Sequence, residues 1–132
     1  MTFTLDTNIM SYLLKGDKNI LANLQNIIKE SGKMIINPIT YYEIYRGLLY
    51  KKADSQLAKF KEYCGRFENC EFNQKIFIKA AEIYNTLRNT GKIIEDADIF
   101  IAAICIEYGY TLIRNNEKHF GRISDLKTVN WI

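Results

Sequence analysis

The sequence predicts an α/β fold, a three-layer α/β/α sandwich around a central, mainly parallel sheet, and three observations carry that prediction. Short apolar runs at 2–6, 34–37 and 111–113 alternate with stretches of helical periodicity. The run from Ile99 to Tyr108 is apolar nearly all round, which suits a helix buried between other elements. At 132 residues with 48% hydrophobic and 25% charged side chains, the chain fits one globular domain with its own core, 1–132, and the disordered, collagen-like and coiled-coil classes fit poorly.

Thr2–Asp6 alternates briefly and meets Thr7 and Asn8, a capping pair ahead of Ile9, Tyr12 and Leu13, so a short strand should feed a helix. A second helix is expected from Lys18 to Ser31, with Ile20, Leu21, Leu24, Ile27 and Ile28 at helical spacing and Gly32 as its C-terminal cap. Met34–Asn37 is a buried strand candidate, and Pro38 and Thr40 open a further helix carrying Glu43 in its first turns. Periodic apolar positions over Ala53–Phe67 and Asn73–Asn89 resemble two packed helices. Gly109 should end the buried helix, Thr111–Ile113 is a buried strand, Asn116–Phe120 a short turn or helix, and Lys127–Val129 an edge strand. Strands separated by helices imply a parallel sheet covered on both faces.

The net charge of +3 permits nucleic acid without demanding it. Cys64, Cys70 and Cys105 are an odd count with no CxxC pair, which argues for a reducing cytoplasm over a disulfide framework or zinc ribbon. The N-terminus lacks the pattern of a signal peptide and no stretch reaches the ~18 apolar residues of a membrane span, so a cytoplasmic protein is expected.

Ligands of open parallel sheets bind in the crevice beyond the strand C-termini, so polar groups at those ends carry the functional reading. Asp6 ends the first strand, Glu43 follows the second, Asp96 and Asp98 open the buried helix, and Asn115 and Asn116 follow the Thr111 strand. Carboxylates brought together there repel and raise one another's pKa unless a cation intervenes. An oxygen-only set favours Mg²⁺, or Mn²⁺, over zinc, and such an ion can activate water against a phosphodiester. Each acid also has an ordinary reading: Asp6–Asn8 as a helix N-cap, Glu43 and the run Glu95–Asp98 as acids favoured by helix dipoles. His119, the single histidine, reads as a partly exposed structural residue, and the cysteines as core fillers.

Taken in order, Asp6-Thr7-Asn8, Glu43-Ile-Tyr-Arg-Gly47, Asp98-Ile-Phe-Ile-Ala-Ala103, Leu112-Ile-Arg-Asn-Asn116 with His119-Phe120, and terminal Asn130-Trp131 resemble the PIN-domain family, and within it the VapC-type toxins of toxin–antitoxin pairs. The resemblance runs nearly end to end. It implies a Mg²⁺-dependent endoribonuclease inhibited by a VapB-like antitoxin, and a homodimer within a hetero-oligomeric complex. Asp6, Glu43 and Asp98 match the family's three acidic positions as catalytic and metal-holding residues. Asp96 matches an additional acid of some members, and Asn116 the fourth position, with Thr7 and Asn8 in support. One departure is Arg114, where a small hydroxyl residue is common; its guanidinium could hold substrate phosphate or lower the carboxylate pKa values. Arg46 is a second RNA-binding candidate, and Lys15, Lys18, Lys51, Lys52, Lys118 and Arg122 are further basic positions that could track RNA or form a solvated face.

Two other readings stand beside this one. A catalytically weak PIN-like module would bind RNA or protein without cutting. A receiver-like or nucleotide-binding domain would use the same acidic edge, but the chain has no Gly-rich phosphate loop.

Overall fold

The structure, a computed structural model, describes every residue except Asn116 and, in addition, leaves the side chains of Glu117 and Lys118 outside the description. The elements run β1 (Thr2–Leu5), α1 (Thr7–Leu14), α2 (Lys18–Lys29), β2 (Lys33–Ile36), α3 (Pro38–Tyr50), α4 (Asp54–Arg66), β3 (Glu68–Asn69), α5 (Gln74–Asn89), α6 (Asp96–Tyr108), β4 (Thr111–Arg114), α7 (Glu117–Phe120) and β5 (Thr128–Asn130). The strands form one sheet in the order β3-β2-β1-β4-β5, every pair parallel. This is the expected α/β/α architecture. The order reverses at β1: the chain builds outward to β2 and β3, then returns to lay β4 and β5 on the other side. A crevice at the C-terminal ends of β1 and β4 is the consequence.

Side chains alternate between the two faces of the sheet. Leu5, Met34, Ile36 and Ile113 pack with α1–α4 residues such as Ile9, Met10, Ile20, Ile44 and the fully buried Phe60. Leu112 points the other way, onto Ile101 and Cys105 of α6 and Phe120 of α7. Burial on both faces is why these strands read as apolar runs. The α6 helix buries Ile99 and every residue from Ile101 to Cys105, as its composition predicts, and ends on Gly109 at φ +73°. That left-handed cap suits glycine.

Several sequence expectations are corrected. The left-handed residue after α2 is Ser31 at φ +63°, not Gly32. Gly32 serves close approach instead: a Cβ there would stand 2.6 Å from Ile27 Cγ2 and 3.0 Å from the Ile27 carbonyl. Leu21 and Ile28 share the helical spacing of α2 but are exposed, because only Ile20 and Leu24 are buried against the core. The helices α4 and α5 take different principal partners, α4 packing on α3 and α1, and α5 on α6. The two-residue strand β3 carries no periodic signal and forms through its pairing with β2. Among the described residues, no helix is long and apolar enough to cross a membrane.

Two glycine substitutions separate close approach from chain flexibility. Gly32→Ala should destabilise by about 1–3 kcal/mol through overpacking against the stiff, β-branched Ile27. Gly47→Ala, inside α3 with open space around its Cα, should stabilise by about 0.5–1 kcal/mol. Urea denaturation of the two variants checks both signs.

Candidate active site

Asp6 is the first residue beyond β1 and the N-cap of α1: its Oδ1 accepts from the Ile9 amide at 2.8 Å, and its own amide donates to the Ile113 carbonyl at 2.9 Å. The second bond ties it to β4. The carboxylate is therefore fixed at the crevice and is only 3% exposed. The ordinary N-cap reading of Asp6 is correct as far as it goes, since the same side chain both caps α1 and faces the cleft.

Glu43 arrives from α3. Pro38 opens that helix, Asn37 caps it by accepting from the Ile39 amide at 3.0 Å, and buried Thr40 donates its hydroxyl to the Leu5 carbonyl at 3.2 Å. This last bond locks the first turn of α3 onto the end of β1, and Glu43 follows three residues later on the same face. Thr7 Oγ1 then donates to Glu43 Oε1 at 2.6 Å, while Arg46 Nη2 stands 3.8 Å from Glu43 Oε2 on the solvent side. Asp98 comes from the first turn of α6, where the helix dipole favours an acid, and its Oδ2 is 2.9 Å from His119 Nδ1.

These residues line one cleft of about 210 Å³, bounded by Asp6, Thr7, Asn8, Glu43, Glu95, Asp98, His119 and Phe120. Asn8 Nδ2 also reaches Asn115 Oδ1 at 3.4 Å, a long bond joining the exits of β1 and β4. Asp96 is exposed and does not line the cleft; Glu95, one residue earlier, does. Arg114 is 7% exposed in β4 and is not part of the lining, so its expected place on a substrate phosphate gives way to an electrostatic influence on Asp6. Arg46 remains exposed at the rim, its guanidinium 5.0 Å from the centre of the Tyr42 ring. The expectations for Asn116 and for the Lys118 side chain fall outside the described residues.

Sequence reasoning missed Glu95 and His119 as cleft residues. For Glu95 the acid run was visible, but which of its members faces the crevice depends on how the N-terminus of α6 meets the sheet. His119 lies 21 residues beyond Asp98, and no local pattern signals their contact.

Burial pushes the Asp6 carboxyl from its ordinary 3.8 up to about 6; the charges of Asp98 and Glu43 add to the rise, while the Ile9 amide and Arg114 oppose it. Oxygen donors gathered beside the buried Asp6, whose charge Asp98 and Glu43 disfavour, suit a hard divalent cation. Among the described residues, no three His, Cys, Asp or Glu side chains close into a ready-made cage, so the acids share a cleft without converging on a point.

The acid-lined crevice sits at the topological switch point of a parallel sheet, the place where α/β proteins of this open-sheet class bind their ligands. The chain belongs to the PIN-domain family, whose profile matches residues 3–126. It is 30% identical to ribonuclease VapC1 of Haemophilus influenzae, over 99% of this chain and 98% of that protein. The tRNA(fMet)-specific endonuclease VapC of Shigella flexneri is 25% identical over 99% of this chain and 98% of its own. In structure, it superposes with a TM-score of 0.92 on a chain of the VapBC2 complex of Rickettsia felis bound to a promoter DNA fragment, at 30% identity and complete coverage of both chains.

The raised Asp6 pKa has a defined consequence for stability. Between pH 4 and 6 the folded protein holds a proton that the unfolded chain has released, so stability falls as pH rises through that window. The cost at neutral pH is about 3 kcal/mol at 1.36 kcal/mol per pKa unit. Asp6→Asn retains an oxygen for the Ile9 amide, and should stabilise the metal-free protein at pH 8 by up to about that amount. The gain should shrink toward zero as pH falls to 4, read by urea denaturation in chelator.

Proposed function

We propose that this chain is a metal-dependent endoribonuclease, the toxin of a VapBC-type pair, which hydrolyses RNA phosphodiester bonds and is inhibited by a VapB-like antitoxin. The observation that carries the reading is the meeting of Asp6, Glu43 and Asp98, from three separate elements, in one cleft at the switch point of the sheet. The names of the relatives support the RNA substrate, and the crystallised VapBC complex supports the antitoxin partner; a homodimer within that hetero-oligomer is part of the same proposal. Free cysteines and the absence, among the described residues, of a membrane-spanning helix support a cytoplasmic site of action.

In this mechanism Asp6, Glu43 and Asp98 would hold Mg²⁺ or Mn²⁺, with Glu95 at the exposed lip. Such an ion, when bound, would supply charge stabilisation for the scissile phosphodiester and for an attacking water. Asp6 must be ionised to act as a ligand, so metal affinity should rise up to about pH 6 and then level off. Thr7 holds Glu43 in position by its 2.6 Å bond, and the exposed Arg46 at the rim can donate to a backbone phosphate of the substrate.

Purified protein freed of antitoxin should cut total RNA into discrete fragments with Mg²⁺ or Mn²⁺ and leave it intact in chelator. Asp6→Ala and Asp98→Ala should each lower the rate by more than about 100-fold, beyond the range typical of outer-shell substitutions. Metal-independent binding of RNA without cleavage would support the PIN-like binding module instead, the reading favoured by the openness of the acid set.

A further inference from the structure

We propose that His119 is a positioning residue for Asp98, fixing one carboxylate oxygen so that the other is presented to the metal in the cleft. This inference rests on the metal-dependent nuclease reading above. His119 Nδ1 and Asp98 Oδ2 are 2.9 Å apart, both side chains line the cleft, and they are 35% and 22% exposed. An ionised carboxylate only accepts hydrogen bonds, so the shared proton belongs to Nδ1 and Asp98 Oδ2 is the acceptor. Oδ1 is then the oxygen left for a cation.

The pairing is anchored from beneath. Phe120, the next residue, is 2% exposed and packs with Ile101, Cys105 and Leu112. Ile101 is three residues after Asp98, so the same patch of α6 that carries the carboxylate also seats the short helix α7. The imidazole is thus placed against Asp98 by core packing of its neighbour. Acids that ligate metals are commonly held by a second hydrogen bond of this kind, and its loss typically costs 10- to 100-fold in metal affinity or activity.

The test is Mn²⁺ binding by calorimetry on wild type, His119→Ala, His119→Asn and His119→Gln, alongside kcat and KM for RNA cleavage. Asn places an amide N–H where imidazole Nδ1 stands, whereas Gln places it near Nε2. We expect His119→Ala to weaken Mn²⁺ binding about 10- to 100-fold, with kcat lowered and KM for RNA little changed, and His119→Asn to recover most of both. Unchanged Mn²⁺ affinity in His119→Ala would overturn the proposal, as would rescue by Gln in place of Asn. If the alanine variant melts early, the Asn–Gln comparison carries the decision. Failure of the wild type itself to bind Mn²⁺ would remove the metal reading and this proposal with it, an outcome distinct from a wild type that binds while the His119 series stays flat.

Discussion

A carboxylate that folding drives out of water, next to two others, organises the functional half of this molecule. Asp6 is held at the end of the central strand by a backbone bond to β4 and by capping α1, so it cannot retreat from Asp98 and Glu43. Burial, with the charges of Asp98 and Glu43, pushes its carboxyl up to about 6. The neighbouring contacts all bear on it: Thr40 docks α3 to β1, Thr7 holds Glu43, Arg114 offsets part of the charge, and His119 engages Asp98. A single domain has about 5–15 kcal/mol of net stability, so a penalty of about 3 kcal/mol at one residue is a substantial share of it.

The sheet explains why the acids meet although they are far apart in sequence. Reversal of strand order at β1 opens a gap at the C-terminal ends of β1 and β4, and the connections that cross the sheet deliver α3 and α6 to its sides. Parallel strands packed on both faces frame the gap. Function is placed on element ends, where backbone amides and helix dipoles are available to carboxylates, as for Asp6 at the cap of α1 and Asp98 in the first turn of α6.

Much of this was legible in the sequence because it depends on local chemistry. Pro38 after Asn37, the apolar uniformity of Ile99–Tyr108 and the Gly109 stop each mark an element by its own residues, and the acids at strand ends follow once the sheet is parallel. What escaped depends on tertiary placement. The burial of Arg114 follows from β4 lying between β1 and β5, which no local pattern shows. Glu95 and Asp96 are adjacent acids that differ only in which way the entry to α6 turns them. Ser31 takes the left-handed turn expected of Gly32, because the close contact with Ile27 claims the glycine.

The nuclease mechanism requires that Asp6, Glu43 and Asp98 together form a divalent-cation site. A crystal of the protein grown with Mn²⁺ and measured at the manganese edge addresses it directly. The expected result is an anomalous peak in the cleft, in contact with at least two of these carboxylates and with Asp98 ligating through the oxygen that His119 does not engage. An ordered cleft with no peak at saturating Mn²⁺, or a peak confined to surface acids elsewhere, would contradict it.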